Sequence, residues 1–181
     1  MPSLDHPTPR PPVRVWDPFV RLFHWSLVTC VLLNQFVLEE GETPHEIAGY
    51  IASGLVAARV VWGFVGSRHA RFADFFPTPA RLIAHGRALL AGEQPHHVGH
   101  NPFGAVMMLA LMALVLALGL TGWMQGLDAY WGEEWLQDLH ELLANGLLAA
   151  AGLHAAAAIV MGRLERTRLV RAMVTGEKRY Y

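Results

Sequence analysis

The stretch "VRLFHWSLVTCVLLNQFVLEE" (Val20–Glu40) decides the fold. An apolar run carries His24 near its start, with Arg21 and Trp25 beside it, and closes on Glu39 and Glu40. A bilayer core about 30 Å thick is crossed by roughly 20 apolar residues in an α-helix. A histidine inside such a run is expensive and calls for a partner. The meaning of His24 therefore depends on whether other histidines stand at the same depth.

The whole chain supports a membrane setting. Of its 181 residues, 53% are hydrophobic and only 16% are charged, against about 25% charged in an ordinary soluble domain. Mean hydropathy is +0.28. Three further apolar runs follow, near Ile47–Gly66, Phe103–Met124 and Leu139–Met161. The expected architecture is all-α: an integral membrane four-helix antiparallel bundle, one unit over residues 1–181, with helices near 18–39, 44–66, 102–125 and 134–162. The first run lacks a small-residue cleavage site and ends "NQFVLEE", so it is expected to be an uncleaved helix. Cys30 is the single cysteine and no C-x-x-C-H motif occurs, so any haem is held without thioether bonds. No nucleic-acid partner is expected.

Helix starts are marked by polar residues before proline. Asp17-Pro18 has the form of an N-cap with proline at the first helical position. "TPHE" (Thr43–Glu46) fits a capping box, and "HNPFG" (His100–Gly104) opens the third helix. The connector "TPARLIAHGRALLAG" (Thr78–Gly92) is amphipathic. Leu82, Ile83, Leu89 and Leu90 can face lipid while Arg81, His85 and Arg87 face headgroups, which suits a cytoplasmic interfacial helix near 78–92. A soluble loop helix is the alternative.

Charge gives the orientation. All 14 Lys and Arg residues lie at or before Arg21, between Arg59 and Arg87, or from Arg163 onward. The other two connections hold Glu39, Glu40, Glu42 and Glu46, then Asp128, Glu133, Glu134, Asp138 and Glu141. Positive-inside sorting puts both termini and the middle loop on the cytoplasmic side, with the two acidic loops facing outward, to the periplasm if the cell is Gram-negative. Trp123, Trp131 and Trp135 mark the outer interface, and Trp16, Trp25 and Trp62 the inner one.

On this map the histidines pair. His140 and His154 share the fourth run and are separated by about 1,400° of helical rotation, almost four turns, and about 21 Å of rise. His24 matches the depth of His154, and His45 that of His140. Two pairs at two depths suit two haems stacked across the membrane, each taking one imidazole from each of two helices. Bis-histidine ligation of iron leaves no open position and favours electron transfer. A lone intramembrane histidine can instead bond a neighbouring helix or serve a proton path. Four at matched depths argue against that alternative.

Arg59 follows His45 by four turns and points the same way at the depth of the inner haem, where a guanidinium can pair with a propionate. A snorkelling arginine at a helix end is the alternative. Arg21 and Arg71 are further candidates of the same kind. Gly49, Ser53, Gly54, Gly146 and Gly152 can make room for flat macrocycles, although close helix packing accounts for them equally well. His6, His69, His85, His96 and His97 are expected at the surface. His100 is expected to be a helix-entry residue, or else a hydrogen-bonding group at a quinone site. The inner donors for a quinone are His100, Asn101, Arg21 and Arg71. The outer ones are Gln125 and Glu141.

Three blocks in order, "VRVWDPFVRLFHW", "TPHEIAGYIASGLVAARVVWGFVGSRHARFADF" and "GHNPFGAVMMLALMALVLALGLTG", followed by the His140–His154 pair, resemble the bacterial cytochrome b561 family. That family includes the b-type cytochrome subunits of nickel-iron hydrogenases. The resemblance covers about residues 13–165. It implies a four-helix cytochrome with two haems b, ligated by His24, His45, His140 and His154, which exchanges electrons between a quinone pool and a redox partner. A periplasmic c-type cytochrome or a hydrogenase is the expected partner, alongside membrane lipid. The alternatives are a free-standing quinone-linked oxidoreductase, resembling a superoxide oxidase, and a haem-free metal transporter. A transporter commonly shows internal repeats, and none is visible.

Overall fold

A computed structural model describes residues 13–93, 99–165 and 167–178. Two-residue strands, β1 (Val13–Arg14) and β2 (Glu177–Lys178), pair antiparallel near the two ends of the described chain. Between them lie α1 (Pro18–Phe36), α2 (Thr43–Val65), the short α3 (Phe72–Phe75), α4 (Pro79–Leu90), α5 (Pro102–Gln125), α6 (Glu134–Leu164) and α7 (Leu169–Thr175). Helices α1, α2, α5 and α6 are long and apolar enough to cross a membrane. The architecture is the expected all-α membrane bundle, with a minimal two-stranded ribbon added.

Local chemistry explains most boundaries. Asp17 caps α1, its carboxylate accepting from the Val20 N–H at 2.9 Å, with Pro18 as the first helical residue. Thr78 caps α4 through the Arg81 N–H and Asn101 caps α5 through the Gly104 N–H. Each of the three caps precedes a proline, whose missing N–H is harmless at the first helical position. The expected capping box on α2 does not form. Glu42 holds the extended cap position and makes no side-chain cap bond, while Thr43 is already helical. Helix α1 stops three residues short of the expected Glu39. The N–H groups of Val37 and Leu38 both turn back to the Leu33 carbonyl, and Gly41 (φ 77°) completes the reversal.

The close helix pairs are α1 with α2, α2 with α5, and α5 with α6. Their shared core is Phe23, Ala52, Val56, Met112, Val115 and Leu147. Gly119 of α5 sits against Ser53 of α2, where a Cβ would collide with the hydroxyl. Helix α6 leans on α5 and does not pack closely on α1 or α2. Leu22, Phe36, Phe64 and Leu142 point outward and are exposed, as a lipid-facing surface requires.

The two ends differ in charge, and are called the basic and the acidic end below. At the basic end the Asp17 carboxylate also accepts from the Trp62 indole N–H at 3.1 Å and from the Ser67 hydroxyl. Burial alone would raise the Asp17 pKa, but these donors outweigh it and hold the carboxyl below its ordinary value. The knot fixes the start of α1 against the end of α2. Nearby, Lys178 of β2 pairs with Glu165 at 3.6 Å, both buried, and the Trp25 indole donates to the Met173 carbonyl at 3.3 Å.

Helix α4 corrects one expectation. His85 does not face headgroups with Arg81 and Arg87. It is buried and its ring meets Phe103 of α5 edge-on, with centroids 5.3 Å apart. The apolar and polar faces of so short a helix are therefore not the simple split that the sequence suggested. His69 is half-buried and bonds Asp74 at 3.1 Å. His6, His96 and His97 lie outside the described residues.

Candidate functional site

Four histidines project from three of the long helices into the gap that α6 leaves. The rings of His24 (α1) and His154 (α6) have centroids 6.5 Å apart and planes inclined by 51°. The rings of His45 (α2) and His140 (α6) are 6.4 Å apart and inclined by 58°. All four are half-buried. The pairs formed are those expected from depth and helical register.

The spacing is chemically specific. Rings in direct contact would be closer, and imidazoles hydrogen-bonded to each other at about 2.9 Å between nitrogens would bring their ring centres to about 5 Å. Two imidazole nitrogens bound at about 2.0 Å to one metal stand about 4 Å apart, with their ring centres farther out. The observed separations match that span. Among the described residues no group of three or more histidine, cysteine or carboxylate side chains gathers to hold a metal. A two-histidine site suits a metal that arrives inside a macrocycle, with its equatorial nitrogens already supplied.

A Cβ added at Gly54, Gly146 or Gly152 would meet nothing within 4 Å, so these glycines seat no neighbouring helix. Gly54 and Gly152 are exposed and stand about half a turn from the histidine-bearing faces of their helices, so they do not make room for a macrocycle there either. Gly49 differs: an added Cβ would stand 3.7 Å from the Asn34 amide nitrogen. The Nδ1 atoms of His24 and His45 are enclosed and have no hydrogen-bond partner. That of His140 is paired with the Thr121 hydroxyl at 2.8 Å. Thr121 is not among the residues that the sequence singles out, because α5 carries no charged residue and no histidine. The available signal was one hydroxyl between two glycines in "GLTGWM" (Gly119–Met124).

Arg59 is 1% exposed, so it does not snorkel. One guanidinium nitrogen, Nη2, donates to the Ala70 carbonyl at 3.0 Å and the plane lies over Phe72. The other, Nη1, is buried without a partner. Arg21 keeps an enclosed, unpartnered Nε. Arg71 is exposed and its Nε is committed to the Gly66 carbonyl at 2.8 Å. His100 packs between Trp16 and Phe75, with centroids at 4.7 and 4.9 Å, and its enclosed Nδ1 has no partner. Burial, then the nearby Arg59 charge, pushes its pKa down to about 3, so the ring is neutral at ordinary pH. Asn101 is engaged in capping α5.

The fold defines a multi-pass membrane bundle of four long apolar helices, with two facing imidazole pairs between them. The chain belongs to the prokaryotic cytochrome b561 family, whose profile matches residues 15–176. Membership makes it a b-type cytochrome of membrane electron transport and implies haem b. Among curated proteins it is similar to a probable Ni/Fe-hydrogenase B-type cytochrome subunit of Bradyrhizobium diazoefficiens, 24% identical with 94% of this chain and 87% of the relative covered. The corresponding proteins of Rhodobacter capsulatus (24%, covering 94% and 83%) and Rhizobium leguminosarum bv. viciae (26%, covering 93% and 90%) are likewise similar. No solved structure matches it.

Proposed function

We propose that the protein carries two b haems in series across a bacterial inner membrane and passes electrons between a periplasmic partner and quinone. The observation that carries this is the two facing imidazole pairs, at 6.5 and 6.4 Å, on opposite ends of the same gap. His24 and His154 would hold the haem at the basic end, and His45 and His140 the one at the acidic end. Haem b would supply a one-electron couple, and ligation by two imidazoles would leave no position for oxygen or substrate. The protein's part is to orient the four rings, exclude water and balance the propionate charge. Arg59, with its unpartnered nitrogen at the basic end, is the propionate partner, and Arg21 supports it.

The basic end faces the cytoplasm by positive-inside sorting, so both termini are cytoplasmic. Quinone binds at that end, where His100 offers a neutral ring nitrogen and Arg21 a free donor. Arg71 and Asn101 are already committed to backbone partners and take a smaller part than the sequence suggested. The relatives are named as hydrogenase subunits, and a hydrogenase or a soluble c-type cytochrome is the partner on the acidic face.

Reduced-minus-oxidised spectra with a haem assay on the purified protein test the core of this proposal. Two haems b per chain with low-spin features are expected, and a haem-free or single-haem protein would contradict it. A quinone-analogue inhibitor should bind at least tenfold more weakly to H100N and R21Q. Unchanged binding to both variants removes the basic-end quinone site.

A further inference from the structure

We propose that Thr121 is a positioning residue for the acidic-end haem, fixing the tautomer and orientation of His140. The proposal rests on the assignment of His140 as an axial ligand and adds to it a residue on a helix that carries no ligand. Thr121 is buried on α5. Its hydroxyl lies 3.0 Å from the Ala117 carbonyl and 3.2 Å from the Leu118 carbonyl, in the preceding turn of the same helix. A threonine hydroxyl has one proton to give, and backbone carbonyls of the preceding turn are its usual acceptors in a helix. With that proton directed at the carbonyls, the oxygen faces His140 Nδ1 at 2.8 Å as an acceptor. Nδ1 then carries the ring proton, and Nε2 keeps the lone pair that binds iron.

A second observation is independent of the hydroxyl. Gly122 lies beside the His140 ring, where an added Cβ would make ordinary contacts of 3.4 Å with Cε1 and 3.9 Å with Nδ1. The imidazole thus rests close against α5, and the neighbouring threonine sets its rotation. Among the described residues, His24 Nδ1 is enclosed with no partner, as is that of His45 on the opposite side of the acidic-end gap. One of the two haems therefore has a ligand whose outer nitrogen is tied.

Hydrogen bonding at the outer nitrogen makes a ligating imidazole more basic, which favours the oxidised iron and lowers its reduction potential. Losing such a partner typically weakens a metal site 10- to 100-fold. A tenfold loss of preference for oxidised iron reads as a rise of about 59 mV in a one-electron couple.

The test uses the full chain, purified with its haems, as wild type and as T121V, T121S, T121A and H140A. Haem content and redox titration of both b centres are the readouts, and H140A identifies which centre is the acidic-end one. T121V should raise the potential of that centre by about 59 mV or more and loosen its haem, leave the other centre unchanged, and T121S should restore both values. A T121V potential equal to wild type, with H140A lacking one haem, overturns the role of Thr121 while the ligand assignment stands. Retention of both haems by H140A overturns the assignment and the inference with it. Should T121V lose both haems, T121S and T121A decide: wild-type behaviour in serine alone supports the role, and equal behaviour of the two ends it.

Discussion

His24 on α1 and His154 on α6 face each other with ring centres 6.5 Å apart, although their helices do not pack closely. A gap held open between two facing imidazoles is what a planar cofactor ligated by both would need. The same relation links His45 and His140 at 6.4 Å. The two pairs share α6 but no residue, so the sites should be separable. H45A or H140A should remove the acidic-end haem and spare the other, and H24A or H154A should do the reverse. Haem content near half of wild type, with one of two α-band components gone, is the expected spectrum. Loss of the same component in H140A and H154A would show that the pairing is wrong.

Asp17 should control stability at the basic end. Its carboxylate holds the α1 cap, the Trp62 indole and the Ser67 hydroxyl together. Loss of an N-cap costs about 0.5–2 kcal/mol, and each lost tertiary bond costs about 1 kcal/mol more. D17A should therefore release haem from the His24–His154 site at a lower temperature. Because the folded-state pKa is depressed, the carboxylate's contribution is complete above the ordinary carboxylate value. It is lost as pH falls through the lowered one. A wild-type thermal profile should fall in that acid window, and D17A should show a flatter one. Identical acid profiles would place the loss elsewhere.

Much of this was legible in the sequence for physical reasons. Helical rise and rotation are fixed, so His140 and His154 had to share a face, and chain reversal at short loops set His24 at the depth of His154 and His45 at that of His140. Helix starts were readable at Asp17 and Asn101 because proline leaves few alternatives. What escaped depended on tertiary geometry. His85 looked like a headgroup residue until α5 brought Phe103 against it. Thr43 looked like a cap, but the extended residue is Glu42. Thr121 lies on a helix with no charge or histidine, and its role follows from the direction in which α6 presents His140.

Arg59 should tune the basic-end haem. Its guanidinium is buried with one nitrogen unpartnered, while the other is anchored to the Ala70 carbonyl. A buried donor left without a partner is costly, and a propionate oxygen would supply one. Removing a cation beside a haem stabilises its oxidised form, so R59Q should lower the potential of that centre. A tenfold change in the couple corresponds to about 59 mV. R59K keeps the charge but loses the planar fork, so it should sit between wild type and R59Q. A redox titration in which R59Q equals wild type at both centres would leave Arg59 as a helix-packing residue.

The acidic end should steer a basic redox partner. Glu39, Glu40, Glu42, Glu46, Asp128, Glu133, Glu134, Asp138 and Glu141 are all exposed there, and Glu40 lies near enough to His140 for its charge to act on that ring. Some of these acids have local reasons. Glu46 and Glu134 stand in first turns, where carboxylates complement the helix dipole. Positive-inside sorting removes basic residues from short outer loops but places little demand on acids, so sorting alone does not account for the remaining density. A field of one sign around the mouth of the His45–His140 site raises the encounter rate with an oppositely charged protein. A c-type cytochrome with a lysine-rich haem edge has that chemistry. Screening lengths fall from about 10 Å at 0.1 M to about 3 Å at 1 M salt. Stopped-flow electron transfer to such a cytochrome should slow steeply over that range. Neutralising Glu39, Glu40, Glu42, Glu133 and Glu134 together should slow the low-salt rate at least tenfold and flatten the salt dependence, with both haem spectra unchanged. A rate indifferent to salt would place the docking surface elsewhere, and a steep dependence surviving in the neutralised variant would move the steering charge off these loops.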